Sequence, residues 1–491
     1  MISQGSASGS ADILRRDLDR IFSDPQFSDA QWGIEVFSLD RSELLYEKNS
    51  HRLYIPASNN KILTAAVALI RLGPDYCFKT HVLTDGPVVD GELKGNLIIV
   101  GFGDPSSSSR MQSNDPFQAF RLWASNLKSK GVHTITGDII GDAGSFEETA
   151  LGQGWAWDDL PQGYAAPVSA LQFNGNLIEL QIVPGMKAGS LASITMKPLA
   201  DYLTLKNSVV TGTAGNPAHI EIEHRRSGET VRVRGTLPLN SPPIDQSVAV
   251  QFPVRYYLSA LKHALNEEGI KTPGCRIKEM RNVDLESASL LWIHPSPSLS
   301  ELLIPTLKMS LNLAAETVVR TLGLEVRGEG TFASGKEVVE DTLGTLGISK
   351  DSYAYADGSG LSRLNLVSAD TLVQILKFMH RHRDFSFFYN ALAIAGIDGT
   401  MEIRMKGTKA ENNVHAKTGT LSNVSSLAGY VQTADGEMLT FAIIANNFLA
   451  SKNAAEKLQD KAVLRLVNFT RKEQNNNKTD KVRTQRKVAP E

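Results

Sequence analysis

The feature that most constrains this chain is a change of texture along it. Between about residue 78 and residue 283 it breaks into short strand-like runs closed by Gly and Asp, such as HVLTDG, GNLIIVG, GDIIGD and IEIEHRRSGETVRVRG. On either side the apolar residues recur at helical spacing, with strand pairs near both ends. The first and last parts therefore complement each other. They are expected to close into one discontinuous mixed α/β (α+β) domain, 1–80 with 284–470, in which a β-sheet is flanked by helices. Residues 81–283 are expected to be a β-rich insertion, and a chain of 491 residues is long enough to hold both.

Within the outer parts, 32–47 alternates like a hairpin that turns at Asp40-Arg41-Ser42. The run 58–72 is apolar nearly all round and stops at Gly73, which reads as a helix buried on most sides with Ser58 in its first turn. Helical spacing returns over 300–322 and 368–381. Strands over 424–432 and 438–445 are joined at Asp435-Gly436, and a helix over 454–467 follows. Helices are expected inside the insertion at 116–130 and 253–268. Residues 1 to about 12 form a Ser/Gly leader before an amphipathic segment over 12–22, and 471–491 is polar, Asn-rich and basic. Leader and tail are both expected to be disordered.

Composition removes several classes of function. The formal charge is -2 and no stretch that is expected to fold carries a large basic excess, so nucleic acid is not an expected partner. The two cysteines, Cys77 and Cys275, have neither paired spacing nor a histidine cluster beside them. They read as unrelated packed thiols, and neither a metal site nor a cofactor is expected. No apolar run approaches the ~20 residues of a membrane span. The N-terminus has no apolar segment that reads as a secretory signal.

Ser58 and Lys61 are three apart on one helix, so the amine can reach the hydroxyl. Such a lysine acts as a base only when neutral, and the apolar helix supplies the burial that would make it so. The same spacing recurs at Ser125 and Lys128, where the lysine reads as a solvated surface charge. Context separates the two copies. Ser310-Leu311-Asn312 stands at the start of a helical run, and Lys417-Thr418-Gly419-Thr420 precedes the closing hairpin. Ser-x-x-Lys, a Ser/Asn pair and Lys-Thr-Gly, in this order, are the three motifs of penicillin-binding proteins and serine β-lactamases.

Further stretches narrow the match: IPASNNKILTAAVAL (55–69), GFGDPS (101–106), YAAPVSALQFNGN (164–176), MSLNLAAE (309–316), DGSGLSR (357–363), AGIDGT (395–400), MKGT (405–408) and HAKTGTLSNVSSLAGYV (415–431). With these the chain resembles the class C low-molecular-mass penicillin-binding proteins, the D-alanyl-D-alanine carboxypeptidase and endopeptidase family. The 252 positions from Ser58 to Ser310 fit that family's penicillin-recognising serine transferase core with a large insertion after the first motif.

The resemblance implies a set of roles. Ser58 is the acylating nucleophile and Lys61 its base; Ser310 relays a proton to the leaving amine, and Asn312 holds Lys61 and the substrate amide. Lys417 adds positive potential, the hydroxyls of Thr418 and Thr420 bind the terminal carboxylate, and Gly419 belongs to the same substrate-binding strand. The backbone N–H groups of Ser58 and Thr420 form the oxyanion hole. Peptidoglycan stem peptides and β-lactams are the implied partners, and periplasm or cell surface the implied location.

A β-lactamase of class A would add a Glu-x-x-Leu-Asn stretch between the second and third motifs, and none is present. A non-catalytic wall-binding protein on this fold would have lost a motif residue, and none is lost. DGSGLSR reads first as a tight turn, with a substrate-side lip as the alternative, which leaves Asp357 outside the catalytic set. The insertion is expected to shape access and to contribute no catalytic group.

Overall fold

The computed structural model describes residues 5–111, 115–147, 149–198, 202–224, 228–284 and 287–472. Its fold is mixed α/β, and its main sheet is built from both ends of the chain. Six strands follow the order Ala393–Ile394, His415–Leu421, Val424–Gln432, Met438–Asn446, Gln31–Ser38, Glu43–Lys48, each antiparallel to its neighbours. The ends join where Gln31–Ser38 pairs with Met438–Asn446, in unbroken register from Gln31 opposite Asn446 to Ser38 opposite Leu439.

Successive side chains of a strand point to opposite faces. Ala442 and Ile444 therefore pack with the helices Asn60–Leu72, Leu299–Lys308 and Ala369–Arg381. Phe441 and Ile443 pack on the other side with the helices Gly5–Phe22 and Lys452–Val467. Because both faces are covered, nearly every residue of the two central strands Val424–Gln432 and Met438–Asn446 is buried.

The inserted region holds a five-stranded sheet ordered Ile277–Met280, Ile139–Asp142, Leu97–Gly101, Cys77–Thr84, Ser289–Ser298, and three smaller sheets. The chain enters the region on Cys77–Thr84 and leaves it on Ser289–Ser298, and these two strands pair antiparallel. The helices Gln118–Ser129 and Pro253–Glu267 supply Phe120, Trp123, Tyr256 and Leu261 to an apolar cluster of this region's own. Of the two free thiols, Cys275 is buried there and Cys77 is half-buried.

Three expectations change. The first helix begins at Gly5, inside the leader expected to be disordered, because Leu14, Leu18 and Phe22 recur at i, i+4 and i+8 and bury one stripe that carries the preceding small residues into the helix. Residues 1–4 lie outside the described residues. Arg471 belongs to the folded part, since its buried side chain pairs with Glu437 at 2.8 Å and Glu43 at 2.7 Å. The rest of the basic tail, from 473, lies outside the described residues. The run 300–322 is two helices, Leu299–Lys308 and Asn312–Arg327, parted by Ser310 in a left-handed conformation at φ 60°.

Candidate active site

Ser58 lies in the short turn Ala57–Asn59 that feeds the helix Asn60–Leu72. Ala57 has φ 48°, a region where a side chain is strained, and such strain persists only when neighbours hold it. Two glycines let those neighbours close in. A Cβ on Gly360 would stand 1.8 Å from the Ala57 carbonyl oxygen. One on Gly419 would stand 2.6 Å from the Pro56 oxygen and 3.0 Å from the Ser58 nitrogen. The strand His415–Leu421 thus lies directly against the turn that carries Ser58.

Lys61 is 1 % exposed, and its Nζ donates to Asn312 Oδ1 at 2.6 Å and to the Ser359 carbonyl at 2.6 Å, while Ser58 Oγ stands 3.1 Å away. A neutral amine has two N–H bonds and one lone pair. Asn312 Oδ1 and the Ser359 carbonyl can only accept, so they take both N–H bonds and leave the lone pair toward the Ser58 hydroxyl. The orientation of Asn312 is fixed from its far side, because its Nδ2 donates to the Tyr164 carbonyl at 2.9 Å. Burial is the main cause that lowers the Lys61 pKa to about 7; the charges of Asp357 and Glu316 oppose it.

Ser310 and Lys417 form a second cluster beside the first. Lys417 is fully buried, and its Nζ donates to Ser310 Oγ at 3.0 Å and to the Thr418 carbonyl at 2.8 Å. Burial first, and then the charge of Lys61, pushes the Lys417 pKa well below the usual lysine range. Further along the strand, Thr418 Oγ1 lies 2.7 Å from Thr400 Oγ1, and Thr420 is exposed. An ion pair between Lys308 and Asp398 ties the chain just before Ser310 to the loop that carries Thr400. Ser125 and Lys128 are exposed on Gln118–Ser129.

Sequence reasoning read the loop 357–363 as a tight turn outside the catalytic set. It is a buried cradle rather than a simple turn: the carboxylate of Asp357 accepts from the N–H groups of Gly360 and Ser362, from Asn365 Nδ2 and from Trp155 Nε1. Its Ser359 reaches Lys61 through a backbone carbonyl, which no side-chain motif announces. The insertion also reaches the site, through Trp155 on Asp357 and Tyr164 on Asn312.

The sequence profile of the D-Ala-D-Ala carboxypeptidase 3 (S13) family matches residues 14–469. A D-alanyl-D-alanine carboxypeptidase of Actinomadura sp. is 34 % identical over 473 residues, covering 93 % of this chain and 85 % of the relative. The D-alanyl-D-alanine carboxypeptidase DacB of Haemophilus influenzae is 28 % identical, covering 85 % of each chain. The crystal structure of penicillin binding protein 4 (dacB) from Haemophilus influenzae superposes with a TM-score of 0.78 at 27 % identity, over 91 % of this chain and 97 % of that one. With the family profile spanning almost the whole chain, and with the fold shared, this chain belongs to the D-Ala-D-Ala carboxypeptidase 3 (S13) family of serine carboxypeptidases.

Proposed function

We propose that the chain removes the terminal D-alanine from peptidoglycan stem peptides through an acyl-enzyme on Ser58. The observation that carries this is the buried Lys61 amine, held at 2.6 Å by both Asn312 Oδ1 and the Ser359 carbonyl with Ser58 Oγ 3.1 Å away. Ser58 Oγ adds to the carbonyl carbon of the penultimate D-alanine as its proton passes to Lys61. The oxyanion is received by the N–H groups of Ser58 and Thr420, a contribution often worth ~3 kcal/mol per donor. The C–N bond then breaks. By way of the Ser310 hydroxyl, the leaving amine takes the proton that Lys61 received, so that Lys61 is neutral again as D-alanine departs. Water adds to the ester next as it passes a proton to Lys61, and Lys61 returns that proton to Ser58 Oγ as the ester C–O bond breaks and the shortened peptide leaves.

The terminal carboxylate would rest on Thr418 and Thr420, drawn by the buried charge that Lys61 and Lys417 share. Lys417 is too buried to touch it, so its action there is through potential. A β-lactam presents a strained amide in the same place and would acylate Ser58. In support, the penicillin binding protein 4 fold recurs in a complex with a β-lactam, at 26 % identity and a TM-score of 0.73.

The same reading divides the chain into a peptidase domain and an insertion, expected as 1–80 with 284–470 and as 81–283; the strand Ser289–Ser298 completes the insertion's five-stranded sheet and moves its far edge to about residue 298. It is supported by the sheet drawn from both chain ends and by the insertion's separate apolar cluster. The reading also puts the enzyme where its substrate is, in the periplasm or at the cell surface. No helix among the described residues is long and apolar enough to cross a membrane. Purified muropeptides test the reaction. Free D-alanine and stem peptides shortened by one residue are expected, whereas cleaved cross-links alone would assign endopeptidase action instead.

A further inference from the structure

Two buried carboxylates flank the base, and the mechanism above uses neither. Glu316, on the helix Asn312–Arg327, is 1 % exposed, and its Oε1 accepts from the Ser359 N–H at 2.8 Å. The carbonyl of that same Ser359 takes one of the two N–H bonds of Lys61. Glu316 is held in turn by Arg320, itself 2 % exposed, whose Nη1 is 3.6 Å from Glu316 Oε2. Arg320 is pinned by Glu147 and by the Thr149 carbonyl. Gly358 allows the close approach, since a Cβ there would meet the Ala315 carbonyl oxygen at 2.9 Å.

We propose that Glu316 is a positioning residue for the base: it holds Ser359 so that the Ser359 carbonyl and Asn312 occupy both N–H bonds of Lys61, and its negative charge steadies the ammonium formed when Ser58 gives up its proton. The proposal rests on the reading of Ser58 and Lys61 given above. It also explains why a glutamate stands buried one helical turn beyond Asn312, where an apolar residue would pack at lower cost. The charged or titratable groups around the pair are few. Lys61 faces Glu316, Asp357 and Lys417, and Glu316 faces Arg320, Asp357 and the hydroxyl of Tyr355. Burial raises the Glu316 pKa, with Asp357 adding to it, while Arg320 and the Ser359 N–H favour the charged form.

Two variants separate brace from charge. Glu316→Gln keeps an acceptor oxygen for Ser359 but removes the negative charge that raises the Lys61 pKa. Lys61 then loses its proton more readily, and the acid limb of the penicillin acylation profile should move to lower pH by about half a unit or more. Its plateau rate should stay within about threefold of wild type. Glu316→Ala removes the brace as well, and its plateau should fall at least about tenfold. A residue with only a structural role would lower the rate without moving the limb. Should Glu316→Ala not fold, the limb of Glu316→Gln decides alone. Wild type that acylates at Ser58, with a Glu316→Gln limb that stays in place, overturns this proposal only. Wild type that does not acylate at Ser58 overturns both this proposal and the reading beneath it.

Discussion

An exposed lysine is a poor base at neutral pH, because it keeps its proton up to a pKa of about 10.4. Lys61 escapes this through burial, which brings it to about 7; Lys417 is lowered by burial first and then by the charge of Lys61, because two ammonium groups in one dry pocket repel each other. Removing one positive charge therefore makes the other easier to acquire. In Lys417→Gln the Lys61 pKa should rise, so the acid limb of the acylation-rate profile should move to higher pH, opposite to Glu316→Gln. Penicillin acylation rates measured across pH check this, and an unmoved limb would confine Lys417 to attracting the carboxylate. At this scale the sequence was informative wherever a side chain makes the contact: Ser58, Lys61, Ser310, Asn312 and Lys417 all lie in the two adjoining clusters. It was silent on Ser359 and Tyr164, which act through carbonyl oxygens that any residue carries.

Among the elements, the strand His415–Leu421 carries the greatest constraint, because it must lie against the turn Ala57–Asn59 without displacing Ser58. Gly419 makes room for that, which gives the glycine of Lys-Thr-Gly a steric reason. In Gly419→Ala the new Cβ would press on the Pro56 carbonyl and the Ser58 nitrogen, neither of which can swing aside. Acylation should slow at least about tenfold, or ~1.4 kcal/mol of barrier, while the fold survives. Stopped-flow penicillin binding with a thermal melt checks this, and a rate within twofold of wild type would show that the strand can retreat. The expected helix over 300–322 failed at this scale for a related reason. Its apolar spacing runs on through Ser310, yet the chain breaks there so that the hydroxyl meets Lys417. Periodicity reports which face is buried, not where a site interrupts it.

Across the whole molecule, the discontinuous architecture was legible because strand patterns near both ends needed partners that only the other end could supply. The first helix was not, since its opening Ser/Gly residues imitate a loop while Leu14, Leu18 and Phe22 carry the packing. Nor was the reach of the insertion, because Trp155 and Tyr164 sit in a Gly/Pro-rich stretch without periodicity. The proposed function requires of the whole molecule that a single nucleophile, set in a site assembled from three parts of the chain, opens an amide to form an ester. Intact-mass spectrometry after brief exposure to penicillin, followed by peptide mapping, tests it most directly. One β-lactam equivalent per chain is predicted, carried on Ser58, retained in Ser125→Ala and absent from Ser58→Ala. An adduct on another residue, or a Ser58→Ala protein that still gains the mass, would contradict it.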